Sequence, residues 1–403
     1  MSRLPGFLQA LSHRSFRLLW AGAFLSSVGT WIQDVALAWL IHVEFQNPVY
    51  LGLRQFAADV PLISFMLLGG VVADRIDRRR ILLVSQVLQM AFALALAALY
   101  GLGWLGLGAI LLIAFLTGLA QSQSAPTYQA VITTLVPAAQ IPKAVALNSL
   151  QFNLSRTLGP VVAGLLLASA GITFCFLANA LSFLAVIFAL WRIEMPPPHA
   201  APSGGIRANL AEGLRYAVEE PTLGLLMLLA AAGSFFAFPL VTYLPVVADE
   251  TIGTGAAGYS ALMSAFGAGA ILGAIATAQR GNQPGRGRLL LHAFLVYGAT
   301  SIGALVVGRQ LPAMALLAVA GASLVTAFST LNSLVQELAP NELRGRVVSI
   351  YGLAFRGGAP LGSLLAGVLV ARLGAPLALA GYSGLLITTA AVARLQSKRL
   401  AVL

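Results

Sequence analysis

Long apolar runs are the feature of this sequence that most restricts its fold. Runs of about 20 residues, the length needed to cross a bilayer core, follow one another along the 403-residue chain. In hydrocarbon every backbone amide and carbonyl needs an internal partner, which only helices and closed barrels provide. Only 9% of the residues are charged, against roughly 25% in soluble proteins. The sequence therefore predicts an all-α polytopic membrane protein.

Polar breaks divide the apolar sequence into twelve predicted spans. They cover residues 16–42, 49–73, 80–101, 104–128, 144–169, 172–191, 222–247, 257–279, 289–308, 312–335, 346–370 and 375–394. The longest break begins with a Pro-rich and Gly-rich stretch that is typical of an exposed linker. We therefore predict a six-helix half at 1–191, a cytoplasmic linker at 192–221 and a second six-helix half at 222–403.

The distribution of basic residues orients these spans. Of the 24 Lys and Arg residues, 19 fall in segments that are cytoplasmic if the N-terminus is inside, and only Arg309 and Arg372 fall in outer loops. Because positive charge accumulates in cytoplasmic loops, we expect both termini in the cytoplasm. This topology also explains the net charge of +11, so no nucleic-acid partner is predicted.

A weak internal repeat relates the two predicted halves. The segments LGPVVAGLLLASAG at 158–171 and LGSLLAGVLVARLG at 361–374 agree at seven of fourteen positions. Paired six-span repeats are typical of secondary transporters, which hold their cargo near the membrane midplane. We therefore expect two pseudo-symmetric six-helix halves.

The loop after the second span, in GGVVADRIDRRR at 69–80, places six charges among seven positions. It resembles the signature of the major facilitator superfamily, and Asp77 stands where the commonest form has glycine. The matching positions are Gly70, Asp74, Arg75, Arg78 and Arg79. The resemblance implies a twelve-helix major facilitator fold and alternating access. It also implies a gating contact in which the carboxylate of Asp74 meets a helix N-terminus of the other half. A plain cytoplasmic anchor is the alternative.

Two longer stretches, at 15–40 and 341–367, resemble the superfamily branch that contains bacterial drug and macrolide efflux proteins and enterobactin-type siderophore exporters. This resemblance implies proton-coupled efflux of an amphipathic small organic molecule across the bacterial inner membrane. The proton gradient would supply the energy, with no cofactor or metal. We expect a monomer whose partners are its cargo and the lipid bilayer.

The fifth predicted span contains RTLGPVVAG at 156–164, which resembles the superfamily's antiporter signature at Gly159, Pro160 and Gly164 but lacks its upstream glycines. Proline removes a helix hydrogen bond, and small residues allow neighbouring helices to approach. We predict a kinked, closely packed helix here, and the repeat extends the packing prediction to Gly362 and Gly367.

Five charged residues that lie away from the ends of the predicted spans are candidate functional groups: Asp34, Arg54, Asp59, Arg156 and Arg356. Because such groups are costly in lipid, they usually face a cavity or a partner. Their similar depths suggest ion pairs. In the arrangement that the superfamily resemblance implies, the second span neighbours the eleventh, which would pair Asp59 with Arg356. Asp34 would pair with Arg54 between the adjacent first and second spans. Either acid is a candidate proton acceptor, with Asp34 favoured, and a permanent structural ion pair is the equal alternative.

Other polar residues within the spans are candidate cargo contacts, although several could instead bridge helices. They are Gln33, Gln121, Gln123, Tyr128, Asn148, Gln151, Asn332 and Gln336. An importer or a lipid flippase of the same fold would share nearly all these features. A membrane-embedded enzyme is a distant alternative, because the four histidines are dispersed and the sequence has no HExxH or GxSxG pattern.

The topology can be tested by cysteine labelling of a variant that lacks Cys175, the single cysteine. A cysteine at Asn47 or Asp249 should react with a membrane-impermeant reagent added outside sealed cells, because both positions lie in predicted outer loops. A cysteine at Gly204 should react only after the cells are permeabilised. Labelling at Gly204 from outside would contradict the predicted orientation.

Overall fold

The computed structural model describes residues 6–73, 77–195, 214–216, 219–281, 283–340 and 343–396. It confirms the all-α prediction, since the described residues form helices and no strand. Twelve long helices occur in this part of the chain. They are α1 (Arg14–Phe45), α2 (Val49–Ala73), α3 (Arg78–Gly101), α4 (Leu107–Thr134), α5 (Ile141–Ser169), α6 (Ile172–Arg192), α7 (Pro221–Thr242), α8 (Gly255–Arg280), α9 (Arg286–Val306), α10 (Gln310–Leu338), α11 (Arg344–Leu373) and α12 (Ala375–Gln396).

Ten of these helices are long and apolar enough to cross a membrane, as judged over the described residues. The two others are α2 and α5, which carry polar and charged residues in their interiors. In α2 these include Arg54 and Asp59, and in α5 they include Gln151 and Arg156. Both helices have the length needed to span, because 25 and 29 residues rise about 37 and 43 Å at 1.5 Å per residue.

The chain divides into two compact units. The first unit contains residues 1–41 and 57–202, and the second contains residues 42–56 and 203–403. Residues 42–56, here called the outer hairpin, comprise the end of α1, the turn after it and the start of α2. The sequence-based domain boundaries at 191 and 222 stay a prediction.

The first unit packs α3 against α4 and α6, and α5 against α4 and α6. One apolar core of this unit joins α1, α3 and α6 through Leu19, Leu82, Phe183 and Leu190. A second core surrounds Phe16, which is 1% exposed. Many leucines and phenylalanines on the other helix faces remain exposed, as expected where a helix meets lipid.

The second unit pairs α7 with α11, α8 with α10, and α9 with both α10 and α12. Its largest fully buried side chains include two tyrosines, Tyr243 and Tyr297. Each tyrosine hydroxyl donates to a backbone carbonyl, Tyr297 to Ala237 at 2.6 Å and Tyr243 to Ser363 at 2.7 Å. These bonds satisfy the hydroxyl groups that burial removes from water.

Glycines allow α8 and α10 to touch along their backbones. A Cβ atom added to Gly269 would lie 1.7 Å from the Ala318 carbonyl oxygen, and one added to Gly273 would lie 2.2 Å from that of Ala322. From the facing helix, a Cβ at Gly321 would lie 2.0 Å from the Phe266 oxygen. Because main-chain atoms cannot move aside like a flexible side chain, any larger residue here must push the two helices apart.

We therefore expect Gly269→Ala to lower the melting temperature of the detergent-solubilised protein. The added methyl group overpacks a helix crossing, which typically costs about 1–3 kcal/mol. The matched control is Gly384→Ala in α12, where a Cβ would meet no atom within 4 Å. Equal melting temperatures for the two variants would contradict the importance of this crossing.

Candidate functional site

In the first unit, polar side chains of α5 bind the backbone of α1. Gln151 is 3% exposed, and its amide donates to the Ala23 carbonyl at 3.1 Å and to Ser27 Oγ at 2.8 Å. The Trp20 indole donates in the other direction, to the Leu147 carbonyl at 2.9 Å. Gln151, a predicted cargo contact, thus bridges two helices in this structure.

One turn farther along α5, Arg156 lies above an aromatic ring of α1. Its guanidinium carbon is 5.7 Å from the centroid of the Trp31 ring, a distance typical of cation–π contacts. Gly159 allows this approach, since a Cβ there would lie 2.3 Å from Trp31 Cβ. Pro160 is buried beside it within α5, and Gly164 follows one turn later.

Two more predicted cargo contacts bridge helices of the first unit. Gln33 on α1 accepts a hydrogen bond from the Asn179 amide of α6 at 2.9 Å. Gln121 on α4 donates to Gln89 Oε1 on α3 at 3.2 Å. Asn179 and Gln89 are buried, and their roles were missed at the sequence level although both are polar residues within apolar runs.

The remaining first-unit candidates are Gln123, Tyr128 and Asn148, all half-buried. The carbonyl oxygens of the Gln123 and Asn148 side chains are shielded from solvent and accept no hydrogen bond from the residues described. These two oxygens are acceptors that a donor on a cargo molecule would satisfy. Tyr128 packs against both apolar cores of the unit.

The predicted proton-coupling residues, Asp34 and Asp59, are half-buried, as is Arg54. Each of the three takes part in at least one polar or electrostatic interaction, and Arg156 does so as well. Asp34 and Arg54 belong to different units, as do Asp59 and Arg356. Both predicted pairs therefore stay predictions.

Two residues of the charged loop motif make capping contacts at helix ends. Asp77 is the N-cap of α3, where its Oδ1 accepts from the Arg79 amide at 3.0 Å. The Arg79 guanidinium donates to the Ile193 carbonyl just after α6. Both contacts satisfy backbone groups that helix ends leave unpaired. Gly70 lies in α2 and Arg78 begins α3, whereas Asp74 and Arg75 lie outside the described residues.

The second unit carries the other candidates along α10 and α11. Asn332 is half-buried, while Gln336 and Arg356 are exposed. Gly362 lets α11 touch α7, since a Cβ there would lie 2.1 Å from the Phe235 carbonyl oxygen. A Cβ at Gly367 would lie 2.5 Å from the Tyr243 hydroxyl and 3.0 Å from Val49 Cα of the outer hairpin.

Two polar contacts of the second unit that join residues distant in sequence escaped prediction. His42 Nε2 lies 3.0 Å from Asp249 Oδ2, with the histidine 8% exposed. Arg286 Nη2 lies 2.5 Å from Glu337 Oε2, beside a cavity of about 140 Å³ that Arg280 and Ser333 also line. The residues of each contact lie 207 and 51 positions apart in sequence, so no local pattern indicates them.

No cluster of metal-ligating side chains occurs within the described ranges.

The sequence is similar to bacterial export proteins. A family model described as transmembrane secretion effector matches residues 6–401. The multidrug efflux pump Tap of Mycolicibacterium fortuitum is 27% identical over 87% of this chain and 88% of that protein. The enterobactin exporter EntS of Escherichia coli O127:H6 is 26% identical over 93% of this chain and 89% of that protein.

A shorter match is to the staphyloferrin A transporter of Staphylococcus aureus, 29% identical over 43% of this chain. That match spans 44% of the relative, less than half its length. Among solved structures, the D-xylose-proton symporter superposes with a TM-score of 0.77 over 96% of this chain and 97% of that one. At 16% identity this likeness shows the fold alone, and it confirms the predicted major facilitator fold.

The cap at α3 leads to a mutational test of the loop motif. Asp77→Ala should lower the free energy of unfolding by about 0.5–2 kcal/mol, because it removes the oxygen that accepts from the Arg79 amide. Asp77→Asn retains an acceptor and should stay near the parent protein in thermal unfolding. If Asp77→Asn were as damaging as Asp77→Ala, the negative charge rather than the cap would be what matters.

Proposed function

We propose that this protein, which belongs to the transmembrane secretion effector family of the major facilitator superfamily, exports an amphipathic small organic molecule in exchange for protons. Membership of this family makes the protein a membrane transporter, and the direction, cargo and coupling are the proposal. The proposal places it in a bacterial inner membrane, working by alternating access with both termini cytoplasmic.

The observation that carries the coupling proposal is the pair of carboxylates inside membrane helices. Asp34 and Asp59 lie 20 and 10 positions after the first residues of α1 and α2, about 30 and 15 Å along these helices. Both are half-buried and engaged in interactions. A carboxylate at such depth is costly unless paired or hydrated, and each change of surroundings alters its proton affinity.

This property links protonation to conformation. A carboxylate near an arginine remains ionised, and it takes up a proton when the arginine withdraws or water is excluded. If the two access states differ in these surroundings, proton binding favours one of them. Asp34, with Arg54 as its partner, is the group that we assign to this step.

Export and cargo class rest on the relatives. Tap is named as a multidrug efflux pump and EntS as an enterobactin exporter, and both matches cover most of this chain. Apolar helix faces with scattered polar acceptors, such as those of Gln123 and Asn148, suit an organic molecule with a large apolar surface better than a sugar or an inorganic ion.

We expect Asp34→Asn to lose accumulation of cargo against its gradient, because a neutral amide does not exchange the coupling proton. The measurement uses proteoliposomes under an imposed pH gradient, screened with dyes, macrolides and catecholate siderophores. Exchange of labelled for unlabelled cargo without a gradient should persist in this variant.

Two variants serve as comparisons in the same assay. Glu44→Gln removes an exposed carboxylate near the outer end of α1 and should leave driven transport intact, and Asp59→Asn should also remain coupled. Accumulation by Asp34→Asn with the parent's pH dependence would exclude Asp34 as the coupling group. Loss of coupling in Asp59→Asn alone would transfer the role to Asp59.

A further inference from the structure

Arg356 occupies an unusual position in the second unit. It lies 12 positions after the start of α11 and 17 before its end, or about 18 and 26 Å from the two ends at 1.5 Å per residue. Its side chain is nevertheless exposed, and it makes no hydrogen bond or ion pair with the residues described in its unit. An arginine facing lipid at such depth costs at least about 2.5–3.5 kcal/mol.

The exposed surface of α11 shows which way this arginine faces. Between Leu361 and Leu369 the exposed side chains of α11 are apolar, with Leu361 at 50% and Leu365 at 53% exposure. Arg356 and Leu365 are nine positions apart, which places them about 180° apart around the helix at 3.6 residues per turn. Gly345 and Ser349, also exposed, share the Arg356 face within about 20°. The leucine face suits lipid, and the arginine face suits water or a ligand.

Towards the C-terminal end of α11, the face that carries Arg356 is covered by the outer hairpin. Ser363 and Gly367 lie within about 20° of Arg356 around the helix axis. A Cβ added to Gly52 of the outer hairpin would lie 2.5 Å from the Ser363 carbonyl oxygen, and Val49 contacts the Gly367 position. The open part of this face therefore ends between Arg356 and Ser363, which makes Arg356 its deepest charged group.

Aromatic rings from three helices meet next to this position. Phe355 of α11 lies 4.7 Å from Phe328 of α10 and 5.8 Å from Phe238 of α7, measured between ring centroids. All three rings are half-buried, so each keeps some accessible surface. Ser329 follows Phe328 just as Arg356 follows Phe355, and Ser329 is exposed. Each of these two helices thus carries an aromatic residue directly beside an exposed polar one.

We propose that Arg356 binds an anionic group of the cargo, so that the transported molecule is an organic anion, a carboxylate or phenolate with an aromatic body. The guanidinium fork matches a carboxylate in two parallel hydrogen bonds, and the three phenylalanine rings provide the apolar contact. The positive charge of the guanidinium attracts an anionic group, whereas it gives no such attraction to a neutral molecule of the same shape. This inference rests on the proposed transport function and adds the charge of the cargo to it.

The test measures equilibrium binding to the purified full-length protein by isothermal titration calorimetry. The probes share one ring system and differ in charge: 2-naphthoate is anionic, 2-naphthamide is neutral and 2-naphthylmethylamine is cationic at pH 7. The parent protein should bind 2-naphthoate about tenfold or more tightly than 2-naphthamide, as expected for a charge-assisted hydrogen bond. It should bind the amine weakest.

Arg356→Gln should abolish the preference for 2-naphthoate and leave 2-naphthamide affinity unchanged. Arg356→Lys keeps the positive charge and should retain part of the preference. The matched control, Arg372→Gln, removes an exposed arginine at the C-terminal end of the same helix and should bind all three probes like the parent. Phe355→Leu should weaken 2-naphthoate and 2-naphthamide by the same factor, because the ring contacts the shared part of the probes.

Equal affinity of the parent for 2-naphthoate and 2-naphthamide would overturn the inference, as would undetectable binding of 2-naphthoate or a preserved preference in Arg356→Gln. If Arg356→Gln did not fold, a reduced preference for 2-naphthoate in Arg356→Lys and equal weakening of both probes in Phe355→Leu would support the inference. An unchanged preference in Arg356→Lys would overturn it. A different result would contradict the proposed function alone: 2-naphthoate binds through Arg356, but no cargo accumulates under a pH gradient.

Discussion

Contact between helix backbones at glycine residues is the interaction on which the rest of this structure depends. Lipid offers no hydrophobic gain when two helices associate, so association relies on packing at short range. At Gly118, Gly269, Gly321 and Gly362, a Cβ would lie 1.7 to 2.1 Å from a carbonyl oxygen of the neighbouring helix. These crossings set the helix spacing, and the spacing determines which side chains between the helices are covered.

Close helix spacing also explains why most polar groups within the helices are engaged. Gln151 reaches the backbone of α1, and Gln33 and Gln121 meet side chains of adjacent helices. Such bridges satisfy groups that would otherwise be unpaired away from water. Arg356 differs from them, because it is charged, exposed and without a hydrogen-bond partner among the described residues of its unit. That difference is why we read it as a binding group rather than a structural one.

The outer hairpin shows how a packing contact and a binding face meet on one helix. Tyr243 donates to the Ser363 carbonyl, and Gly52 and Gly367 bring the hairpin against α11 at the same level. The pair of His42 and Asp249 adds a polar contact to this region. Below it, the face that carries Arg356 is open. A movement of the hairpin away from α11 would therefore expose more of the face on which we place the cargo.

The sequence by itself determined the class of fold and the charges that lie within helices, because span length and hydropathy are local properties. The family was indicated by the resemblance of its loop motif and of two longer stretches. The sequence also marked Gly362 and Gly367 as packing positions through their small size. Only the tertiary structure decided that Gln151 bridges α1 and α5, that His42 meets Asp249 and that Arg286 meets Glu337. Helical periodicity shows which residues share a face of a helix. The residues that cover that face come from segments up to 207 positions away. Their position depends on packing between helices, which the sequence of one span does not determine.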